Sequence, residues 1–518
     1  MRFILRRDRV RLPVWILGIT LLVLSTASSI EGIYPTQADL DTAAQTARDN
    51  AALLAFQGPD YGLDTLGGQV VFNVGATGYV AVALMAMFLV GRHTRADEEA
   101  GRTELLRASV LGRNAPVTAV LVVQAGAFVL LGALIVLSLL GQGLPTAGSV
   151  VYGAAMGAFG LLFACVTAVT VQLADHNRPA LGLTGVVLGA AFVIRAVGDV
   201  GDGTLSWLSP MGWAQGSRPY AGERPWTLLL LLGTAAVLVA VAYYLLAIRD
   251  LGGGLVPPRP GPPTASAALT RPGGLALRLQ RGALISWVAG LALSGVSFGS
   301  IAQDVGDLIG DNEAMEDVIA QAGGDLTEAF FATALLMLAL FGVAFGVSSV
   351  LRLRSEETGG RAEPLLATAL SRSGWATSHL AIALGGSVLV MAAAGLGVGL
   401  TYGVAAGEMG EAGPLLGGAL CYVAALWVVV GVAFALFGWL PRAAVPVAWT
   451  VVALCWVIGM FGQLFELPRA VIELSPFEHV PEIPAEDFTL APVAALVAVA
   501  AALLALGYAG LRRRDAGY

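Results

Sequence analysis

Residues that commonly perform catalysis or bind metal ions are scarce in this sequence. Its 518 residues include four histidines and three cysteines, and neither set has the spacing of a metal site. The cysteines lie far apart inside apolar runs, as buried thiols do. All 29 basic residues are arginines, whereas a P-loop and a Schiff base both need a lysine. We therefore predict that the chain is not an enzyme, holds no P-loop ATPase site, and binds no metal or cofactor itself.

One charged segment has a spacing suited to binding, and it occurs twice. The first copy contains Arg95, Glu98, Gly101, Arg102 and Glu104, and the second, 259 residues later, contains Arg354, Glu357, Gly360, Arg361 and Glu363. In each copy a glutamate precedes an arginine by four residues, the spacing of an ion pair on a helix surface. A solvated loop would account for one charged segment but not for its repetition. A pair of docking helices for a cytoplasmic partner protein accounts for both.

The elements that carry these segments are predicted to be membrane helices. The composition is 57% hydrophobic and 13% charged, whereas a soluble domain carries about 25% charged residues. A membrane-spanning helix needs about 20 mostly apolar residues. Such runs lie near 13–30, 70–91, 115–140, 149–173, 180–198, 226–248, 283–302, 329–350, 376–404, 415–439, 443–463 and 491–511. The sequence thus predicts an all-α polytopic membrane protein with twelve transmembrane helices.

The arginine positions predict the orientation in the membrane. With the N-terminus inside the cell, 24 of the 29 arginines lie on the cytoplasmic side and five lie outside. Both termini are then cytoplasmic. Arg2, Arg6 and Arg9 share a helical face and predict an amphipathic helix on the inner membrane surface. The first apolar run could be a secretory signal peptide, but its counterpart in mid-chain favours a retained helix.

The chain contains an internal duplication. Trp15 of the first apolar run matches Trp287, and Leu208-Ser209-Pro210 near the end of one half matches Leu474-Ser475-Pro476 in the other. An even number of spans per half keeps both copies in one orientation, so the repeat is parallel. Between the halves, residues 251–274 contain six glycines and six prolines, which predicts a flexible cytoplasmic linker. We predict two six-helix halves, residues 1–250 and 275–518.

The E-x2-G-R-x-E-x-L pattern after the second apolar run resembles the coupling segment of ABC-2-type exporter permeases. The duplication, the outer-loop pairs Tyr34-Pro35 and Asn50-Ala51, and the segment from Gly58 to Gly68 resemble actinobacterial permeases described as exporters of polyketide antibiotics. The resemblance covers nearly the whole chain. It implies an ABC-2 (type V exporter-like) fold in the cell membrane of an actinobacterium.

The resemblance also implies a role for the repeated charged segments. Both copies would be coupling helices, each seated in a groove of a separate ABC ATPase subunit that carries ATP and Mg²⁺. The second copy has Pro364 where the first has Leu105, so the two docking contacts need not be equal.

Each half also has a Ser-Pro pair in its outer segment before the last apolar run, within 207–213 and 473–479. Serine at the N-cap followed by proline at the first helical position predicts a short helix. The resemblance implies a re-entrant external helix here, and an ordinary capped surface helix is an equal alternative.

A pathway for hydrophobic cargo should be apolar with a few polar groups. The resemblance implies that helices two, five, eight and eleven line it. Aromatic, methionine and asparagine side chains on these helices are the candidates, although such residues more often serve packing. They are Phe72, Asn73, Met85, Phe88, Phe192, Phe331, Phe341, Trp449, Trp456 and Met460.

These features predict the permease subunit of an ATP-driven exporter of hydrophobic or amphipathic compounds such as antibiotics. Its partners would be two ATPase copies, the cargo and the lipid bilayer, but no nucleic acid. One alternative is an ion-coupled secondary drug transporter, which would keep ionisable groups within the membrane. Only Arg195 and His379 approach that description, and Arg195 has Asp199 and Asp202 nearby as structural partners. A second alternative is a non-transporting membrane scaffold that recruits an ATPase.

Overall fold

The computed structural model describes residues 1–107, 112–250, 252–256, 261, 263–310, 326–407, 409–462, 468–486 and 488–514. Every regular element within these residues is a helix. The chain divides into two compact units, Met1–Gly261 and Pro262–Tyr518.

The described residues of the first unit form twelve α-helices of very different lengths. They are α1 (Arg2–Arg7), α2 (Arg11–Ile33), α3 (Gln37–Asp49), α4 (Ala51–Gln57), α5 (Leu66–His93), α6 (Arg95–Glu99), α7 (Arg102–Arg107), α8 (Ala115–Gly141), α9 (Thr146–Leu173), α10 (Asn177–Val200), α11 (Pro210–Gln215) and α12 (Thr227–Ile248).

The described part of the second unit contains eight α-helices. They are α13 (Pro272–Gly310), α14 (Leu326–Thr358), α15 (Ala362–Leu366), α16 (Arg372–Ala405), α17 (Ala412–Trp439), α18 (Ala444–Phe461), α19 (Arg469–Ile472) and α20 (Leu490–Arg513).

Eleven helices in the described residues are long and apolar enough to cross a membrane: α2, α5, α8, α9, α10, α12, α13, α14, α16, α17 and α20. The shorter apolar helix α18 lies at the predicted eleventh span, whose final residue, 463, is outside the described residues. The protein is an all-α polytopic membrane protein.

The two units bury corresponding helices. In the first unit most of α5 and α9 is buried, whereas α2 and α12 expose most of their apolar surface. In the second unit α14 and α17 are mostly buried, and α13 and α20 are mostly exposed. The exposed apolar helices are suited to contact lipid, because lipid tails are as apolar as the side chains that face them.

Glycines allow two helix pairs to approach closely. Gly132 of α8 lies against the backbone of Gly153 in α9, so a Cβ at either position would overlap the partner backbone. In the second unit, a Cβ on Gly438 of α17 would overlap the backbone of Gly507 in α20. Small residues at such crossings let membrane helices gain packing energy, since no hydrophobic driving force acts between them in lipid.

The two Ser-Pro pairs begin short helices, as the sequence predicts. The Ser209 side chain accepts a hydrogen bond from the amide of Met211 at 3.1 Å, and α11 begins at Pro210. The Ser475 side chain accepts one from the amide of Phe477 at 3.4 Å, and a 3₁₀ helix covers Pro476–His479.

Tyr220, which follows α11 in the chain, packs against the first turns of α5 and α9. The ring of Tyr220 lies where a Cβ on Gly67 or Gly148 would be, so only glycine leaves room for it on α5 and α9. The Tyr220 hydroxyl is 2.8 Å from the Ser149 hydroxyl. This side chain therefore joins the ends of α5 and α9.

The beginning of the predicted linker is attached to the first unit. The amides of Leu255 and Val256 donate to the carbonyls of Gln172 and Leu173 at 3.1 and 2.9 Å. Residues 251, 257–260 and 262 of the predicted linker lie outside the described residues, and 272–274 already belong to α13.

Candidate functional site

Each copy of the repeated charged segment is divided by a glycine turn. Gly101 separates α6 from α7 and has φ +68°, and Gly360 separates α14 from α15 and has φ +67°. The Gly101 amide donates to the carbonyl of Glu98 at 2.9 Å, and the Gly360 amide donates to that of Glu357 at 3.0 Å. This left-handed conformation favours glycine, which explains why the pattern contains glycine at both positions.

The glycine turn makes the predicted pairing of Glu98 with Arg102 wrong. An ion pair four residues apart needs one continuous helix, and the chain leaves the helical path between these two residues. Glu98 instead pairs with Arg95 at 2.6 Å and with Arg249 at 2.5 Å. Arg102 donates to Asp97 at 2.9 Å. The same correction applies to Glu357 and Arg361 in the second copy, as described below.

Arg95, Glu98 and Arg249 form what we call the first clamp. Both guanidinium nitrogens of Arg249 donate to the Glu98 carboxylate, at 2.5 and 2.9 Å. Arg95 also donates to the backbone carbonyl of Asp175 at 2.8 Å. The side chains of Arg95 and Arg249 are only 1% and 2% exposed. The clamp therefore ties α6 to the residue that follows α12.

Arg354, Glu357 and Arg514 form the second clamp. Glu357 accepts a hydrogen bond from Arg354 at 3.3 Å and another from the guanidinium of Arg514. Arg514 lies 4.4 Å over the ring of Phe437 and donates to the Phe437 carbonyl at 3.1 Å. The second clamp thus joins the end of α14 to the residue that follows α20, as the first clamp does for α6 and α12.

A second acidic residue in each copy holds the arginine that follows the glycine turn. Asp97 accepts from Arg102 at 2.9 Å and from Arg7 at 2.5 Å. Glu356 accepts from Arg361 at 2.9 Å. The contacts of Arg102 and Arg361 cross the glycine turns. They therefore fix the direction of α7 relative to α6 and of α15 relative to α14.

The N-terminal helix is attached to the same region. Buried Asp8, which follows α1, pairs with His93 and lies 3.4 Å from the Nε of Arg92. With the contact between Arg7 and Asp97, these pairs place α1 beside the first charged segment.

Sequence reasoning missed Arg249, Arg514, Asp97 and Glu356. Arg249 and Arg514 each lie near the end of a predicted half and are each followed by an aspartate, which was the available signal. Their partners, however, lie 151 and 157 residues away in sequence. Buried charges are usually paired, but the sequence does not state with which residue.

Only part of each repeated segment is accessible to a partner protein. The side chains of Arg102 and Arg361 are 48% and 56% exposed. Glu104, Glu363 and the neighbouring Leu105 are also exposed. The other predicted coupling residues with side chains, Arg95, Glu98, Arg354 and Glu357, make the internal contacts of the clamps. Each segment therefore has an inner face that holds it and an outer face that is free to bind.

Arg195 pairs internally, in agreement with its interpretation as a structural residue. Its side chain is fully buried, donates to Asp199 at 3.2 Å and lies 4.8 Å over the ring of Phe192. It also donates to the carbonyls of Leu54 and Phe56 at 3.3 and 3.4 Å. The hydrogen bonds from Arg195 to these two carbonyls hold α4 against α10.

The predicted cargo-pathway residues fall into three environments. Phe72, Met85 and Phe331 are buried in the cores of their units. Phe192, Trp456 and Met460 are half-buried, and Asn73, Phe88, Phe341 and Trp449 are exposed.

Two contacts show how these residues are held. Phe341 and Trp456 meet edge to face with ring centroids 5.1 Å apart. Phe88 lies 6.4 Å from Trp15. The structure thus brings Phe341 and Trp456 of the second unit together.

Comparison with known proteins identifies the family. The multidrug efflux system permease protein Rv1217c of Mycobacterium tuberculosis is 44% identical over 519 residues, covering 99% of this chain and 94% of that protein. The chain belongs to the Rv1217c family of multidrug efflux permeases. A family model described as the C-terminal domain of multidrug efflux system permease Rv1217c matches residues 269–512. Membership of the Rv1217c family confirms the predicted resemblance to exporter permeases.

Proposed function

We propose that this chain is the membrane permease subunit of an ATP-driven exporter whose ATP chemistry resides on a separate ABC ATPase. The observation that carries the proposal is a permease-family chain that presents one charged, exposed segment twice. Without lysine the chain cannot form a P-loop, so ATP and Mg²⁺ would be bound by the partner. The chain itself would be neither an enzyme nor a cofactor-binding protein.

The docking surface would be the outer face of each repeated segment. Arg102, Glu104 and Leu105 form it in the first unit, and Arg361 and Glu363 form it in the second. A guanidinium and a carboxylate beside an apolar side chain can make charge-assisted hydrogen bonds around an apolar contact. Two such surfaces support two ATPase copies.

The same segments support a cytoplasmic location of both termini. Arg7 and Asp8 contact the first segment, and Arg514 near the C-terminus contacts the second. Since an ATPase partner and the arginine-rich side are both cytoplasmic, the termini would lie there too. The membrane would be the cell membrane of an actinobacterium, the bacterial group of the related permease.

The cargo would be a hydrophobic or amphipathic compound such as an antibiotic, consistent with the description of the related permease as part of a multidrug efflux system. The ion-coupled alternative has less support, because the buried pair of Arg195 and Asp199 is neutralised internally. A scaffold without transport would bind the ATPase but export nothing.

The test uses the chain with an ABC ATPase that co-purifies with it, in vesicles loaded with doxorubicin, a fluorescent aromatic polyketide. Export that requires ATP and a hydrolysis-competent ATPase, and that persists with an uncoupler, supports the proposal. Export that ignores the ATPase but stops with an uncoupler identifies a secondary transporter. ATPase binding without export of doxorubicin or ethidium identifies a scaffold.

The docking surface is tested separately with Glu104→Arg and Glu363→Arg, which reverse exposed charges without touching the clamps. We expect the double variant to retain at least tenfold less ATPase on co-purification. Arg178→Glu is the matched control, because Arg178 is exposed at the start of α10 outside both segments. Equal ATPase retention by the wild type, the double variant and Arg178→Glu would exclude this surface as the docking site.

A further inference from the structure

In each unit, one glutamate of the charged segment connects two distant parts of the chain. Glu98 binds Arg95 of its own helix and Arg249 after α12. Glu357 binds Arg354 and Arg514 after α20. The same three-residue arrangement has formed twice, although the sequence between the paired residues differs in length by six residues, 157 against 151.

The arginines that complete the clamps also carry other bonds at the helix ends. The backbone carbonyl of Arg249 accepts a hydrogen bond from Arg113, and that of Arg514 accepts one from Arg372 at 2.7 Å. Arg113 lies just before α8 and Arg372 is the first residue of α16, and these are the membrane helices that follow the charged segments. Each clamp arginine therefore joins its last helix to both sides of the loop that contains the segment.

The geometry makes this connection stiff. Two guanidinium nitrogens of Arg249 donate to the two carboxylate oxygens of Glu98. This bidentate contact fixes the orientation of the two side chains as well as the distance between them. Both arginines of the first clamp are buried, so water screens the attraction little. By contrast, α12 buries few side chains along its length. Its cytoplasmic end is thus held more specifically than its membrane-spanning part.

The first clamp also holds the beginning of the linker. Arg95 donates to the carbonyl of Gly252 at 3.2 Å, and Arg249 donates to that of Gly253 at 3.0 Å. Gly254 donates its amide to the Asp175 carboxylate. A displacement of α6 would therefore move the end of α12 and the linker residues together.

We infer that the clamps transmit movement of the ATPase-bound segment to the last helix of the same unit, with Arg249 and Arg514 as positioning residues. This inference rests on the proposed function. The outer face of each segment binds the ATPase, and the clamp on its inner face passes the displacement to α12 or α20. Loss of a clamp separates ATP hydrolysis from export while leaving the docking face intact.

The experiment compares Arg249→Gln, Arg514→Gln and their combination in the complete permease–ATPase complex. Arg512→Gln is the matched control, because Arg512 is an exposed arginine on the last turn of α20. Three quantities are measured: ATPase retained on co-purification, ATP hydrolysed, and doxorubicin exported per ATP. We expect retention and hydrolysis within about twofold of the wild type, and at least a tenfold loss of export per ATP in the combined variant.

A conservative variant and a cross-link separate coupling from folding. Arg249→Lys keeps the charge but loses the two-pronged contact, and we expect export per ATP between those of the wild type and Arg249→Gln. In a cysteine-free background, Glu98→Cys with Arg249→Cys should lose coupling, and a short reversible bis-thiol reagent should restore it. Reductant should abolish that restoration.

The outcomes distinguish this inference from the proposed function. A wild-type chain that binds no ATPase contradicts the proposed function itself. Normal docking and hydrolysis, together with unchanged export per ATP in the combined variant, overturn only the clamp inference. If the glutamine variants insert poorly in the membrane, the cross-linking experiment decides instead. Failure of the cross-link to restore export per ATP also overturns the clamp inference.

Discussion

Replacing Glu98 should destabilise the first unit far more than replacing Glu104, although both glutamates belong to the same repeated segment. Glu98 accepts hydrogen bonds from two guanidinium groups that are 1% and 2% exposed. Glu98→Ala leaves these two buried cations without their carboxylate. Glu104 is exposed, and Glu104→Ala removes a charge from a hydrated surface.

The structure sets the expected size of the difference. Removing one member of a buried ion pair costs about 3–5 kcal/mol, and the 14% exposure of Glu98 favours the lower end, about 3 kcal/mol. A surface substitution changes stability by about 0.5 kcal/mol or less. For a unit of this size a loss of about 3 kcal/mol lowers the unfolding midpoint by about 6–12 °C.

The native cysteines allow each unit to be followed separately. Cys165 is buried in the first unit, and Cys421 and Cys455 are buried in the second. A maleimide dye that becomes fluorescent on reaction reports exposure of each thiol during heating in detergent, in variants that retain one cysteine at a time. Glu98→Ala should lower the midpoint reported by Cys165 and leave that of Cys455 within about 2 °C.

Midpoints for Glu98→Ala and Glu104→Ala that agree within about 2 °C would show that the first clamp does not hold the unit together. A large loss of stability in Glu104→Ala would contradict its assignment to the outer face.

Three further outcomes are expected in the same thiol assay. Arg195→Leu leaves Asp199 buried without its cation and should lower the free energy of unfolding by about 3–5 kcal/mol. Adding Asp199→Leu should recover much of this loss. Stability losses of the two substitutions that simply add in the double variant would contradict this expectation. Gly148→Ala forces a Cβ into the ring of Tyr220 and should cost about 1–3 kcal/mol, while Gly126→Ala, in open space on α8, should be neutral or stabilising. Burial raises the pKa of Tyr220 from its ordinary value of 10.0 to about 12. Its ionisation should therefore leave stability unchanged below about pH 10 and lower it between about pH 10 and 12, and Tyr220→Phe should show a smaller loss there.

Sequence reasoning located the membrane helices well because hydropathy is a local property. The predicted run at 70–91 lies within α5, and the run at 149–173 lies within α9. Each run had to be apolar over about 20 residues to satisfy the bilayer, so no knowledge of neighbouring helices was needed. The Ser-Pro pairs were predictable for the same reason, since a cap acts on amides two or three residues away.

Sequence reasoning failed where one backbone turn changed the geometry. The spacing of Glu98 and Arg102 predicts an ion pair only if the helix continues between them. Gly101 lies between them with φ +68° and directs the two side chains to different partners. The glycine was visible in the sequence, and its recurrence as Gly360 was the signal that the helix ends there.

The sequence by itself determined that this is a helical membrane protein with a charged segment in each half and no lysine for a P-loop. These are properties of composition, short windows and repetition. Only the tertiary structure decided which face of each segment points inward. Packing brings Arg249 to Glu98 across 151 residues and Arg514 to Glu357 across 157. A charge in a protein of this kind is buried only where its partner has been brought beside it, because an unpaired buried charge is too costly to keep.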